Sequence, residues 1–259
     1  MELAAHAGVT TASLTDHDTL DGLVEAKAAA DALGVRLIPG VELSVEHRGS
    51  KIHMLVYFVD PGAGPLQDRL QGLRDGRSER NTRIVERLNQ LGYAISLDDV
   101  HRQASGPSIG RPHIADALIE HGYFTHRNDV FEDLLRDGGE AYFPRTRLSA
   151  GEAIELARAS DQVPVIAHPK TITVPNGGYA GLFRELADLG LGGIEAHHPM
   201  HEPALREHLS ELAHSLGLAA TGGSDYHGAG KRDFSIATGA GDLRVPESAV
   251  TELDAQRTA

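Results

Sequence analysis

The chain of 259 residues contains no cysteine. Disulfides, thiolate metal sites and cysteine nucleophiles are therefore excluded. Tryptophan is also absent and aromatic residues make up only 5%. The hydrophobic content of 41% must then pack as a core of Ala, Leu, Val and Ile. Positive charge is scarce, with 24 Lys and Arg against 37 Asp and Glu and a net charge of −13. That balance argues against a broad electropositive surface for duplex DNA, but leaves room for a small basic pocket around a phosphorylated ligand. No apolar run approaches the ~18 residues that a membrane span needs. The opening residues Met1-Glu2-Leu3-Ala4-Ala5-His6 lack the basic and apolar regions of a signal peptide. The expectation is a cytoplasmic protein without a membrane partner, folded as one large domain or as one domain with an insertion.

Histidine, by contrast, is abundant: the 15 residues are roughly double an average composition. One of them sits in Thr15-Asp16-His17-Asp18-Thr19, after an apolar lead-in (Val9, Ala12, Leu14) and before a helical pattern (Leu20, Leu23, Val24, Ala28). This is the turn between the carboxyl end of a strand and a helix, where reactive groups collect in parallel α/β folds. Further short strands are expected at 35–38, 51–59, 163–167, 193–196 and 218–221, and helices at 19–33, 66–91, 149–159, 179–189, 202–216 and 246–255. Asp18 and Thr19 suit the N-cap of the first of these helices, and Ser149 that of the third. Residues 92–148 break the rhythm, because short helical patterns follow one another there without strands between them. The expected organisation is an α/β domain built from 1–91 and 149–259, with an inserted helical subdomain at 92–148.

The strand ends carry His17, Glu42, His53, His168, His198 and the pair Asp225 and His227. A lone histidine at a strand end is ordinary, but a His or carboxylate at nearly every one is hard to explain by packing. The simplest account is convergence on a metal centre. Nitrogen and oxygen donors suit Mn²⁺, Fe²⁺, Zn²⁺ or Mg²⁺, and either Glu42 or Asp225 can bridge two ions roughly 3.5–4 Å apart. Asp16 reads as a catalytic-site partner that orients a ligand. Of His197 and His198, the second is preferred as the one that points into the site. Pro112 at the first helical position leaves Arg111 at a helix N-terminus, where anions bind, with His113 beside it. Lys170, directly after His168-Pro169, reads either as a phosphate contact or as an exposed lysine.

The runs Thr15-Asp16-His17-Asp18-Thr19, Pro39-Gly40-Val41-Glu42, His53, Ala167-His168-Pro169 and Gly223-Ser224-Asp225-Tyr226-His227 resemble, in order and spacing, the motifs of the PHP (polymerase and histidinol phosphatase) family. Gly110-Arg111-Pro112-His113-Ile114-Ala115 resembles the branch containing nucleoside 3′,5′-bisphosphate phosphatases and 5′→3′ exoribonucleases. The resemblance implies a distorted (β/α)₇ TIM-like barrel whose helical insertion supplies phosphate-binding residues. It implies two or three divalent ions, Mn²⁺ foremost. Glu42, His53 and His168 would hold one ion, Glu42 and Asp225 a second, and His17 and His227 a third. Arg111 and His113 would grip substrate phosphate. The family opens with a strand bearing His-x-His, followed by an Asp. This chain shows neither, and a start codon assigned too far downstream or a truncation is the expected cause.

The activity implied is hydrolysis of a phosphate ester by in-line attack of a metal-activated hydroxide. The expected substrate is a nucleoside 3′,5′-bisphosphate, giving the 5′-monophosphate, or the 5′ end of a short RNA. A neighbouring metal-bound water, or a His such as His198, would protonate the leaving oxygen. A histidinol-phosphate-type phosphatase is the alternative within the enzyme class. An impaired chain that only binds metal or phosphate is the alternative outside it.

Overall fold

The computed structural model describes residues 1–62, 64–104, 109–144, 147–174, 178–228 and 234–257. The chain divides into two compact units, Met1–Asp68 with Arg147–Ala259, and Arg69–Thr146. In chain order the elements are α1 (Glu2–His6), β1 (Thr11–Leu14), α2 (Leu23–Leu33), β2 (Arg36–His47), β3 (Ser50–Tyr57) and α3 (Pro65–Gln90). Next come α4 (Leu97–Arg102), α5 (Arg111–Glu120) and α6 (Arg127–Val130), the last running into a π-helical turn at Phe131–Leu135. The chain continues with β4 (Leu148–Ser149), α7 (Ala150–Arg158), β5 (Val163–Ile166), a 3₁₀ turn at Pro169–Thr171, α8 (Gly178–Asp188), β6 (Gly193–His197), α9 (Pro203–Ser215), β7 (Ala219–Gly222) and α10 (Ser248–Ala255).

The first unit is built on a mixed sheet in the order β1-β2-β3-β5-β6-β7, with β4 paired to β2. Its curl makes a half-barrel, and among the described residues β1 and β7 do not pair with each other. The strand expected at 35–38 is longer than the sequence pattern suggested. β2 runs on to His47 and folds straight back into β3 as an antiparallel hairpin, with His47 opposite Ser50. The loop residues Arg48 and Gly49 both have positive φ, 48° and 79°. Two such residues form the turn whose twist matches a hairpin. β3 is also antiparallel to β5. The start of β3, where His53 sits, therefore lies at the edge where the parallel strands end. Ala167 donates its N–H to the carbonyl of His53 (3.0 Å).

One face of the sheet buries Ile38, Leu55, Tyr57, Val163 and Val165 with Leu253 of α10. α7 presents Ala150, Ala153, Ile154 and Ala157 inward. Its N-terminus carries the expected cap: Ser149 Oγ accepts from Glu152 N–H (3.2 Å), and Glu152 Oε2 accepts from Ser149 N–H (2.8 Å). This reciprocal pair satisfies two otherwise unpaired donors.

The second unit is helical, and it begins at Arg69, not at residue 92 as the helix pattern suggested. The later turns of α3 bury Ile84, Val85 and Leu88 in one core with Val100, Ile114, Leu118 and Leu135. Among the described residues no helix is long and apolar enough to cross a membrane.

Replacing Ser149 with Ala removes the cap while leaving the packed face of α7 intact. The substitution is expected to lower unfolding free energy by about 1 kcal/mol, measured by urea denaturation against the parent chain.

Candidate metal centre

The centre starts from the way β1 and β2 meet. A Cβ on Gly40 would lie 2.7 Å from Thr15 Cγ2 and 2.9 Å from Ser13 Oγ, so only glycine lets the end of β1 approach β2 this closely. Beyond β1 the parallel pairing continues as a bridge between His17 and Glu42. Glu42 N–H donates to the carbonyl of Asp16 (3.1 Å), and Asp18 N–H donates to the carbonyl of Glu42 (2.9 Å). Asp18 departs from expectation. It does not cap α2, whose N-cap is Gly22 without a side-chain cap. Its backbone is left-handed, φ 54°, and its carboxylate turns inward, 3% exposed. There it accepts from Ser44 N–H (3.1 Å) and the Ser44 hydroxyl (3.4 Å). Asp18 thus clamps the strand on the far side of Glu42.

Glu42 is 5% exposed and is surrounded by imidazoles. Its Oε1 lies 2.7 Å from His53 Nδ1 and 3.0 Å from His168 Nε2. Its Oε2 lies 3.6 Å from His17 Nε2. The candidate donor atoms of His17, Glu42 and His53 fall within 4.8 Å of one another. Ring centroids of His17 and His53, and of His53 and His168, are 5.2 and 5.1 Å apart. Burial pushes the Glu42 carboxyl upward, but the neighbouring imidazoles of His168, His53 and His17 outweigh it together and hold the group well below the usual carboxylate range. Burial lowers the His17 imidazole, with Glu42 opposing.

The end of β7 leads into the Asp225-His227 loop. Asp225 also has a left-handed backbone, φ 49°. His227 Nδ1 meets the carbonyl of Asp225 at 2.8 Å. A carbonyl only accepts, so Nδ1 carries the proton and Nε2 keeps its lone pair. The His227 ring lies 5.9 Å from that of His17. His198 is fully buried, with Nε2 3.5 Å from Asp225 Oδ2. Its Nδ1 accepts the N–H of Met200 (3.1 Å), so the neutral ring holds its proton on Nε2. His197 instead lies 3.4 Å from the Ser210 hydroxyl. Burial raises the Asp225 carboxyl, while His198 and His227 outweigh it and hold the group low.

The remaining predicted residues have other partners. The Asp16 side chain is exposed and sits beside Gly22; among the described residues it pairs with no imidazole, and its part in the centre runs through its backbone carbonyl. Lys170 Nζ pairs with the exposed Glu202 (3.2 Å). Arg111 and His113 open α5 in the helical unit. Arg111 Nη1 donates to the carbonyl of Leu135 (2.6 Å) and lies 3.1 Å from Asp137 Oδ1. Its guanidinium also stands 5.5 Å from the Tyr142 ring centroid. His113 Nδ1 accepts the N–H of Gly110 (3.1 Å), which leaves its proton on Nε2.

Three buried polar residues were not evident from the sequence pattern. Glu195, inside the apolar run of β6, accepts His168 N–H at 2.7 Å, and burial raises its carboxyl. His201 donates from Nδ1 to the carbonyl of Ala196 (2.8 Å). Arg206 donates to the carbonyl of His198 (3.2 Å). A carboxylate within an otherwise apolar strand was the available signal for Glu195; the other two lie in helical or loop patterns that give none.

The donor set fits a divalent cation. Every group is a nitrogen or an oxygen, and His53 Nδ1 is buried without a hydrogen-bond partner although it lies 2.7 Å from a carboxylate oxygen. A cation shared by both atoms satisfies both.

Two outcomes are expected from the supporting residues. Asp18→Ala leaves Ser44 N–H without its acceptor and should cost about 1–3 kcal/mol in urea unfolding. Burial holds His201 at about 4 against 6.5 for the free side chain. The unfolded chain therefore takes up this proton first as pH falls, and folded stability drops across that window at up to about 1.4 kcal/mol per pH unit. His201→Gln should flatten the fall between those two values, read from unfolding free energies measured at several pH values.

No family model matches the chain. Among curated proteins it is 30% identical over 232 residues to the phosphoribosyl 1,2-cyclic phosphate 1,2-diphosphodiesterase of Eggerthella lenta, covering 88% of this chain and 87% of that one. It is 30% identical over 236 residues to the 3′,5′-nucleoside bisphosphate phosphatase of Chromobacterium violaceum, covering 90% and 83%. It is 29% identical over 226 residues to a 5′-3′ exoribonuclease of Escherichia coli, covering 86% and 77%. Among solved structures, a candidate metal-dependent phosphoesterase from Bifidobacterium adolescentis superposes with a TM-score of 0.78 at 30% identity, covering 98% of this chain and 88% of that one. The relatives break phosphate esters, the likeness runs through almost the whole chain, and the strand ends bring together the donors such chemistry needs: the chain belongs to the PHP family of metal-dependent phosphoesterases.

Proposed function

We propose that this chain removes phosphate from a nucleoside 3′,5′-bisphosphate to leave the nucleoside 5′-monophosphate. The observation that carries the reading is the buried Glu42 carboxylate ringed by His17, His53 and His168. The 30% identity with a bisphosphate phosphatase supports the substrate class. Cleavage at the 5′ end of a short RNA is a second reading, favoured by the likeness to the E. coli exoribonuclease. The half-barrel is read as a distorted (β/α)₇ barrel, the helical unit as an insertion that supplies phosphate contacts, and the enzyme as cytoplasmic.

Glu42, His53 and His168 would hold one ion, Glu42 and Asp225 a second, and His17 and His227 a third, with Mn²⁺ the first metal to test. When bound, such ions make a water nucleophilic at neutral pH and neutralise charge on the phosphoryl oxygens. His198 holds its proton at Nε2, turned toward Asp225, and would donate it in a hydrogen bond that fixes this carboxylate, while the leaving alkoxide would take its proton from water at the centre. Arg111 has one guanidinium nitrogen engaged by Leu135 and Asp137. Its remaining donors keep the planar fork that matches two phosphate oxygens. His113 offers Nε2–H to the same phosphate.

The test is to purify the chain with Mn²⁺ present, count ions per chain, and compare phosphate release from adenosine 3′,5′-bisphosphate, a 5′-phosphorylated short RNA, a phosphoribosyl 1,2-cyclic phosphate and histidinol phosphate. Two or three ions and the highest kcat/KM on the bisphosphate are expected. Histidinol phosphate as the best substrate, or a chain that takes up no metal, would overturn the proposal. Glu42→Gln should lose bound metal and lower kcat/KM by more than about a hundredfold, since partners one step further out already cost 10–100-fold.

A further inference from the structure

His168 and Glu42 face each other across 3.0 Å through Nε2 and Oε1. What Nε2 can do there depends on where the ring keeps its proton, and that is decided on the other side of the ring. His168 Nδ1 lies 3.0 Å from Thr171 Oγ1. The Thr171 hydroxyl has a single proton, which it donates to the carbonyl of His168 (3.1 Å). The same carbonyl accepts the N–H of Thr171 (3.0 Å). A hydroxyl that donates to this carbonyl meets the ring as an acceptor, an arrangement that places the ring proton on Nδ1 and leaves Nε2 with a lone pair.

The hydroxyl is held in place by its surroundings. Thr171 closes the 3₁₀ turn Pro169–Thr171, whose Pro169 is buried. Tyr179 donates to the carbonyl of Pro169 (3.2 Å). His168 has a left-handed backbone, φ 28°, and its N–H is tied to Glu195. The ring and the hydroxyl therefore stand on one short segment fixed at both ends. A lone pair aimed at a carboxylate oxygen from 3.0 Å is repulsive by itself, and a cation that accepts both atoms reverses the sign.

We propose that Thr171 is a positioning residue of the metal centre, which holds the His168 proton on Nδ1 and so presents Nε2 to a divalent ion. The inference rests on the metal-binding role given to His168 under the proposed function. His198 is held in the opposite state by Met200 N–H, so two neighbouring imidazoles, 5.6 Å apart between ring centroids, are prepared for opposite tasks. His168 gives a lone pair and His198 keeps a proton.

The experiment uses Zn²⁺ alone as the probe. Zinc affinity is measured by chelator competition for the full chain, for Thr171→Val, which keeps the shape and loses the acceptor, and for Thr171→Ser, which keeps the acceptor. Nitrogen-edited NMR of the zinc-loaded proteins follows the ring proton of His168, and thermal unfolding checks that each variant is folded. Thr171→Val is expected to weaken zinc binding about tenfold or more and to lose the protected Nδ1–H signal through exchange with water. Thr171→Ser is expected to retain both. A valine variant that binds zinc as the parent does, with the Nδ1–H signal still protected, would overturn the assignment of Thr171. A parent chain that takes up no zinc would overturn the metal reading beneath it, and the two failures are separated by which protein shows them.

Discussion

A buried carboxylate must be compensated. Taking such a group out of water costs several kcal/mol unless partners surround it, and Glu42 sits near the middle of β2 at 5% exposure. Its partners come from three other segments: the turn after β1, the first half of β3 and the second residue after β5. Each can reach Glu42 only if its backbone is placed correctly. The close approach allowed by Gly40, the hairpin at Arg48-Gly49 and the antiparallel pairing of β3 with β5 all serve that placement. The charge requirement at one residue thus constrains much of the half-barrel.

The polar residues behind the centre share one habit. Asp18, Glu195, His201 and Arg206 each bond to a backbone group of a segment that carries a site residue. They hold the frame from which the imidazoles project. Asp18, His168 and Asp225 all have left-handed backbones, a conformation that costs on the order of 1–3 kcal/mol for a residue other than glycine. Such strain persists where the surroundings over-determine it. The same turns swing these side chains away from the direction that a regular strand would give them.

The helical unit follows a different plan. Its core is apolar, and two of its arginines lie against aromatic faces: Arg83 stands 4.3 Å from the Phe143 ring centroid and Arg111 5.5 Å from that of Tyr142. An aromatic face attracts a guanidinium and limits its freedom.

The chemistry of the donors is legible in the amino-acid sequence. Without cysteine the donor set has to be nitrogen and oxygen, and the recurrence of His and carboxylates at strand ends names His17, Glu42, His53, His168, Asp225 and His227. The cap at Ser149 is equally plain, because a capping box is a local pattern. Direction and pairing are not legible: a strand reads the same whether its neighbour runs parallel or antiparallel, so the hairpin that delivers His53 depends on contacts across the sheet. The boundary at Arg69 lies hidden inside an unbroken helical pattern, since which core a turn packs into is a matter of distant residues. The tasks of Asp18, Glu195 and Thr171 are hidden for the same reason. The sequence by itself determined which atoms this protein can offer a metal. The tertiary structure decided which of them meet, and which partner the far side of a ring such as His168 or His198 finds, because both depend on partners far along the chain or around a turn that only folding brings into reach.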